Sequence, residues 1–127
     1  MYYHVLIKVK KHQGLAHPVD IYKLDIKSLG EVEKEIITPY LRGDTFELEG
    51  RLISKEKISR LKVFKSQYDT EYYAKVQDER NRVRDFLMGT KREEILHYHE
   101  YVSEITKEVI KRALIDIPDT TAHQVRS

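Results

Sequence analysis

Four residues near the end of the chain have the chemistry and the spacing of a metal site. Glu93, His97, Glu100 and Glu104 stand at i, i+4, i+7 and i+11, which on a helix sets three carboxylates and an imidazole along one face. Such groups ligate Zn, Mn or Fe. A di-metal bundle also needs matching carboxylates on neighbouring helices. The preceding segment offers only Asp78, Glu79 and Asp85, in no E-x-x-H arrangement. The four therefore read as the solvated face of an amphipathic helix, and neither a metal nor another cofactor is expected.

The densest basic run is Lys55, Lys57, Arg60, Lys62 and Lys65, with Tyr68, Tyr72 and Tyr73 just beyond it. Cations followed by rings suit a nucleic-acid or phosphate surface on which bases stack. The same run suits an edge strand guarded by lysines against pairing with other chains. Charge favours the second reading: 23 Lys+Arg against 21 Asp+Glu leave a net +2, little for a partner held by phosphate neutralisation. Residues 1–67 carry +4 and residues 68–127 carry −2, so a local patch remains open.

Arg92 is followed by His97 and His99 with four and six residues between. This resembles the R-x4–6-H signature of HEPN ribonucleases, and the resemblance implies an arginine and a histidine acting on the RNA 2′-hydroxyl and scissile phosphate. HEPN domains are bundles of four or more helices, whereas this stretch shows two helical segments. The expectation is a chain without catalytic residues. There is no cysteine, which removes disulfides, thiolate metal sites and thiol nucleophiles. Phosphate-loop, dinucleotide and nucleophile-elbow motifs are also missing from the sequence.

The elements that position these residues change period near Tyr68. Tyr2 to Lys10 alternates, with Tyr3, Val5, Ile7 and Val9 on one face and His4, Leu6, Lys8 and Lys10 on the other. Val19 to Ile26 resumes the pattern after a loop over residues 11–18, which predicts an antiparallel pair. Ser28 and Glu31 form a capping box for a helix over about 29–42, with Pro39 near its end and Gly43 as its stop. Thr45 to Ile53 reads as a tight hairpin, Ser54 to Lys57 as a single turn and Ser59 to Lys65 as a strand.

Asp69 or Thr70 caps a second helix to about residue 88, carrying Tyr72, Tyr73, Val76, Val83, Phe86 and Leu87. Thr90 and Glu93 suggest another capping box, opening a helix over about 91–114. Its apolar seam is Ile95, Tyr98, Val102, Ile105 and Val109, a coiled-coil-like spacing.

The ordered set Ile21–Ile26, Ile36–Gly43, Phe46–Ile53 and Ile58–Ser66 resembles the small N-terminal module of some prokaryotic multidomain proteins of the anti-phage, TIR-like type. There the module precedes a separate effector domain. The resemblance implies a recognition or oligomerisation part.

The fold expected is α+β: a small, mainly antiparallel sheet with one packed helix over residues 2–67, then an antiparallel helical hairpin over 68–117 and a disordered tail or linker over 118–127. The function expected is a non-enzymatic interaction, sensing or oligomerisation module of a bacterial defence-type protein, self-associating or binding a partner effector. Tyr98, Tyr101, Val102, Ile105, Val109, Ile110 and Leu114 are the expected interface. Nucleic-acid binding through strand 55–65 is the alternative. The first residues lack a basic n-region and a long apolar run, so a cytoplasmic chain with no membrane partner is expected.

Overall fold

The structure is a computed structural model that describes residues 1–10, 19–81 and 89–116. Its centre is an antiparallel sheet built from β1 (Tyr2–Val9), β2 (Val19–Ile26), β5 (Ile58–Ser66) and β6 (Val102–Glu104), in the order β2-β1-β5-β6. A separate hairpin pairs β3 (Phe46–Leu48) with β4 (Arg51–Ile53). The fold is α+β, as the change of period predicts.

One face of the sheet carries Val5, Ile7, Ile21, Leu61 and Val63. It is covered by a helical stretch over residues 29–42, by the β3–β4 hairpin and by α4 (Thr106–Asp116), which contributes Val109 and Ala113. The 29–42 stretch consists of α1 (Leu29–Val32), a π-helical turn (Glu33–Ile37) and α2 (Thr38–Arg42). Ser28 caps it as expected, its Oγ accepting the Glu31 N–H at 3.3 Å. The π turn has a cause in Pro39, which has no N–H and crowds the carbonyl four residues back. The Thr38 N–H reaches instead to the Glu33 carbonyl, five residues back. Gly43 ends the stretch at φ 80°. Its N–H donates to the Tyr40 carbonyl and the next N–H, of Asp44, to the Pro39 carbonyl, which satisfies the last orphan carbonyls.

The opposite face is buried at one end only, since Lys8, Arg60 and Lys62 on the same face are not buried. Leu6, Phe64 and Val102 of β6 lie beneath α3 (Thr70–Asn81) and a 3-10 turn (Arg92–His97), in a second core with Tyr73, Ala74, Ile95 and Leu96. His4 and Leu6, placed by alternation on a solvated face, are 0% and 3% exposed. Over Leu6, Phe64 and Val102 the sheet is a middle layer between two covers.

The single helix expected over 91–114 does not form. Its sequence divides into the 3-10 turn, a turn closed by Tyr101 and Val102 N–H groups on the Tyr98 carbonyl, the strand β6 and then α4. Strand pairing outweighs helical spacing here. Val102–Glu104 pairs with the open edge of β5 at Phe64–Ser66, and the Ile105 N–H extends the contact to the Val63 carbonyl. The one apolar seam serves two cores: Ile95 and Val102 belong to the second and Val109 to the first. The expected Thr90–Glu93 box is also replaced, because Thr90 N–H donates to Asp78 Oδ1 at 2.7 Å. Val83, Phe86 and Leu87, the loop over 11–18 and the tail over 118–127 lie outside the described residues. Among the described residues no helix is long and apolar enough to cross a membrane.

Candidate functional site

A bulge in β2 builds the most connected polar group in the molecule. The register between β1 and β2 slips between Tyr3 and Val5, and Asp25 sits there at φ 58°. A left-handed Asp at a bulge turns its N–H and its side chain away from the ladder. The Asp25 N–H donates to His4 Nδ1 at 2.9 Å. The carboxylate accepts the Thr70 N–H at 2.8 Å, the Thr70 hydroxyl at 2.7 Å and Arg92 Nη2 at 2.6 Å. Arg92 Nε also donates to Thr70 Oγ1. Burial by itself would raise the Asp25 carboxyl, but the bonds from Thr70 and Arg92 outweigh it and hold the group below the usual carboxylate range.

On the other side of the ring, His4 Nε2 lies 2.8 Å from Ser66 Oγ. Serine, histidine and aspartate are thus strung together as in a hydrolytic triad, but the protons run the wrong way. Nδ1 already accepts a backbone N–H, so in the neutral ring Nε2 carries the proton and donates to Ser66 Oγ. Ser66 in turn donates to the Tyr68 carbonyl at 2.7 Å. A general base must instead accept the serine proton. His4 and Ser66 are 0% and 3% exposed, and burial pushes the imidazole down to about 4 against the attraction of Asp25. The group is a structural clasp joining β1, β2, β5, α3 and the 3-10 turn.

The same clasp answers the arginine–histidine motif. The Arg92 guanidinium is committed to Asp25 and Thr70, while His97 lies exposed at the end of the same 3-10 turn and His99 exposed on the turn that follows. The Glu93, His97, Glu100 and Glu104 row loses its helix, and among the described residues no cluster of three or more His or carboxylate groups forms a metal site.

The basic run is divided as well. Lys55 and Lys57 lie in a 3-10 turn, with Lys55 Nζ 5.3 Å above the Tyr40 ring. Arg60 and Lys62 pair across the ladder with Lys8 and Leu6, so they share the face of the second core. Lys65, opposite Tyr3, points to the other face. Among the described residues, β5 over 58–62 pairs with β1 alone, since its pairing with β6 covers residues 64–66.

What the structure brings together is tyrosine. Tyr68, just before α3, and Tyr72 and Tyr73 in its first turn meet Tyr101 and Tyr98 from the turn before β6. Ring centroids lie 4.6 Å apart for Tyr68–Tyr72, 5.4 Å for Tyr72–Tyr73, 4.7 Å for the stacked Tyr73–Tyr101 and 5.6 Å for Tyr98–Tyr101. Tyr73 is buried and anchors the row, its hydroxyl accepting the Tyr68 N–H. The Tyr101 hydroxyl donates to Gln77, and Arg80 lies over the Tyr101 ring while pairing with Glu100 at 2.8 Å. Tyr68 and Tyr72 stand 46% and 48% exposed.

Of the expected interface, Tyr98 and Tyr101 join this row, and Val102 is core beneath it. Ile105, Val109 and Ile110 pack against the opposite core, and Leu114 is exposed on α4 away from both. The seven form no common surface. Comparison with protein-family models, curated proteins and solved structures gives no match for this chain.

Proposed function

We propose that this chain is a non-enzymatic interaction module that self-associates through the tyrosine row. The observation that carries the reading is the unbroken contact of five rings, anchored by buried Tyr73 and ending in the exposed Tyr68 and Tyr72. Pre-ordered tyrosines offer large contact area at small entropic cost, and Tyr and Arg are the residues enriched at the energetic centres of protein interfaces.

The flanking charges favour a second copy over a highly charged partner. Lys75 pairs with Glu71 and Arg80 with Glu100, so the patch presents both signs. A two-fold interface brings one surface against itself, which requires that kind of self-complementarity. The resemblance of residues 2–67 to modules of anti-phage, TIR-like proteins fits a recognition or oligomerisation role in a bacterial defence-type system. Static light scattering across a concentration series tests the proposal. The mass should rise toward that of a dimer in the micromolar range, and a constant monomer mass at high micromolar concentration would refute it.

A second reading rests on Lys8, Arg60 and Lys62, which share one sheet face. Nucleic acid bound there would dissociate steeply with added salt, and reversing Arg60 and Lys62 would abolish binding.

A further inference from the structure

We propose that the cleft between the 29–42 helical stretch and α4 binds a small phosphorylated ligand, at a site separate from the tyrosine row. The cleft is open to solvent and has a volume of about 440 Å³, within the range of small-molecule pockets. Lys34, Thr38 and Arg42 line it from one side and Arg112 from α4 closes the other. Spacing at i, i+4 and i+8 sets the first three in a single row. The row crosses the π turn that Pro39 imposes, a distortion that recurs at functional sites.

The charges in the cleft are unequally engaged. Glu33, its side chain 14% exposed, holds Arg112 at 3.6 Å. Among the described residues, Lys34 and Arg42 have no carboxylate partner. Two cations with no carboxylate partner among the described residues, a guanidinium held by Glu33 and the Thr38 hydroxyl therefore line one space, where three cationic groups face the two carboxylates of Glu33 and Asp44. A phosphate monoester brings a charge of about −1.5 to −2 and three strong acceptor oxygens at neutral pH. Arginine forks match phosphate oxygens in pairs, and lysine adds a point charge. Asp44, also lining the cleft, is placed to accept from a hydroxyl on the body of such an ester. Inorganic phosphate alone would leave that acceptor unused.

Amide-resolved NMR titration of the full chain tests this at constant ionic strength, using inorganic phosphate and glycerol 3-phosphate as probes and chloride as the control. Saturable shifts are expected at Thr38, Arg42 and Asp44 and not at Tyr68 or Tyr72, with glycerol 3-phosphate the tighter probe. Arg42→Ala and Lys34→Ala, both at exposed positions, should keep the wild-type spectrum and weaken binding about tenfold each. Shifts that never saturate, shifts spread over lysines elsewhere, or unchanged affinity in the double variant would each overturn the proposal. So would inorganic phosphate binding as tightly as the ester. Failure here leaves the self-association reading untouched, because its readout is mass and its residues are different.

Discussion

His4 Nδ1 accepts the backbone N–H of Asp25 at 2.9 Å, and that one bond determines what the buried histidine can do. It places the proton of the neutral ring on Nε2, faces it toward Ser66, and turns an apparent triad into a clasp. Protonating the ring would put two N–H groups in opposition at Nδ1, in a site 0% exposed.

Stability should therefore fall in mild acid. The unfolded histidine takes up its proton near pH 6.5, whereas His4 in the fold resists until about 4. Between those values the unfolded chain binds more protons, so stability is fully present above about 6.5, declines as pH drops, and levels off below about 4. The loss amounts to about 3 kcal/mol. Asp25, with its lowered carboxyl, adds a further loss in the same direction at lower pH. Urea melts across this range should show the slope in the wild type, and a His4→Gln variant should be less stable at pH 7 but much flatter. The same slope in both would exclude His4 as its source.

Removing the Asp25 carboxylate leaves the Thr70 N–H and hydroxyl without their acceptor. Asp25→Ala should cost about 3 kcal/mol. Thr70→Val added to it should cost less than it does alone, with a coupling of about 1 kcal/mol or more. Strict additivity in a double-mutant cycle would mean that the clasp does not act as a unit.

The β3–β4 turn carries Glu49 at φ 51° and Gly50 at φ 78°, the pair of left-handed residues that a type I′ hairpin needs. Glycine suits that conformation and glutamate does not. Glu49→Asn should raise stability by about 0.5–1 kcal/mol, and Gly50→Ala should lower it by about 1 kcal/mol. Thermal melts that move the other way would contradict the turn assignment.

Elements with strong local signals were readable from sequence. Alternation predicts β1 and β2, Ser28 and Gly43 bracket the 29–42 stretch, and Gly50 marks the hairpin turn. What was not readable depended on distant partners. No glycine or proline interrupts residues 92–116 before β6 or α4, so only the open edge of β5 explains the strand inside a helical spacing. The clasp was hidden because His4 sits where alternation predicts solvent, and its partners lie 21 and 62 residues away. The tyrosine row was half visible, as two groups of rings whose meeting required the turn at Tyr98–Tyr101.

The divided seam makes a comparison between two apolar residues of the expected 91–114 helix. Ile95 is 0% exposed and Leu114 is 56% exposed. Ile95→Ala should cost about 2–5 kcal/mol, and Leu114→Ala should stay within about 0.5 kcal/mol of the wild type. Comparable losses in chemical denaturation would show that Leu114 is covered and that the seam is continuous after all.

Sedimentation velocity of the wild type beside a Tyr68→Glu/Tyr72→Glu variant decides whether the exposed rings join two copies of the chain. Both side chains are about half exposed, so the variant should retain the fold, and its circular dichroism should match the wild type. Self-association through the row gives a concentration-dependent shift toward dimer in the wild type and monomer at every concentration in the variant. A wild type that stays monomeric, or a variant that associates equally well, would contradict it.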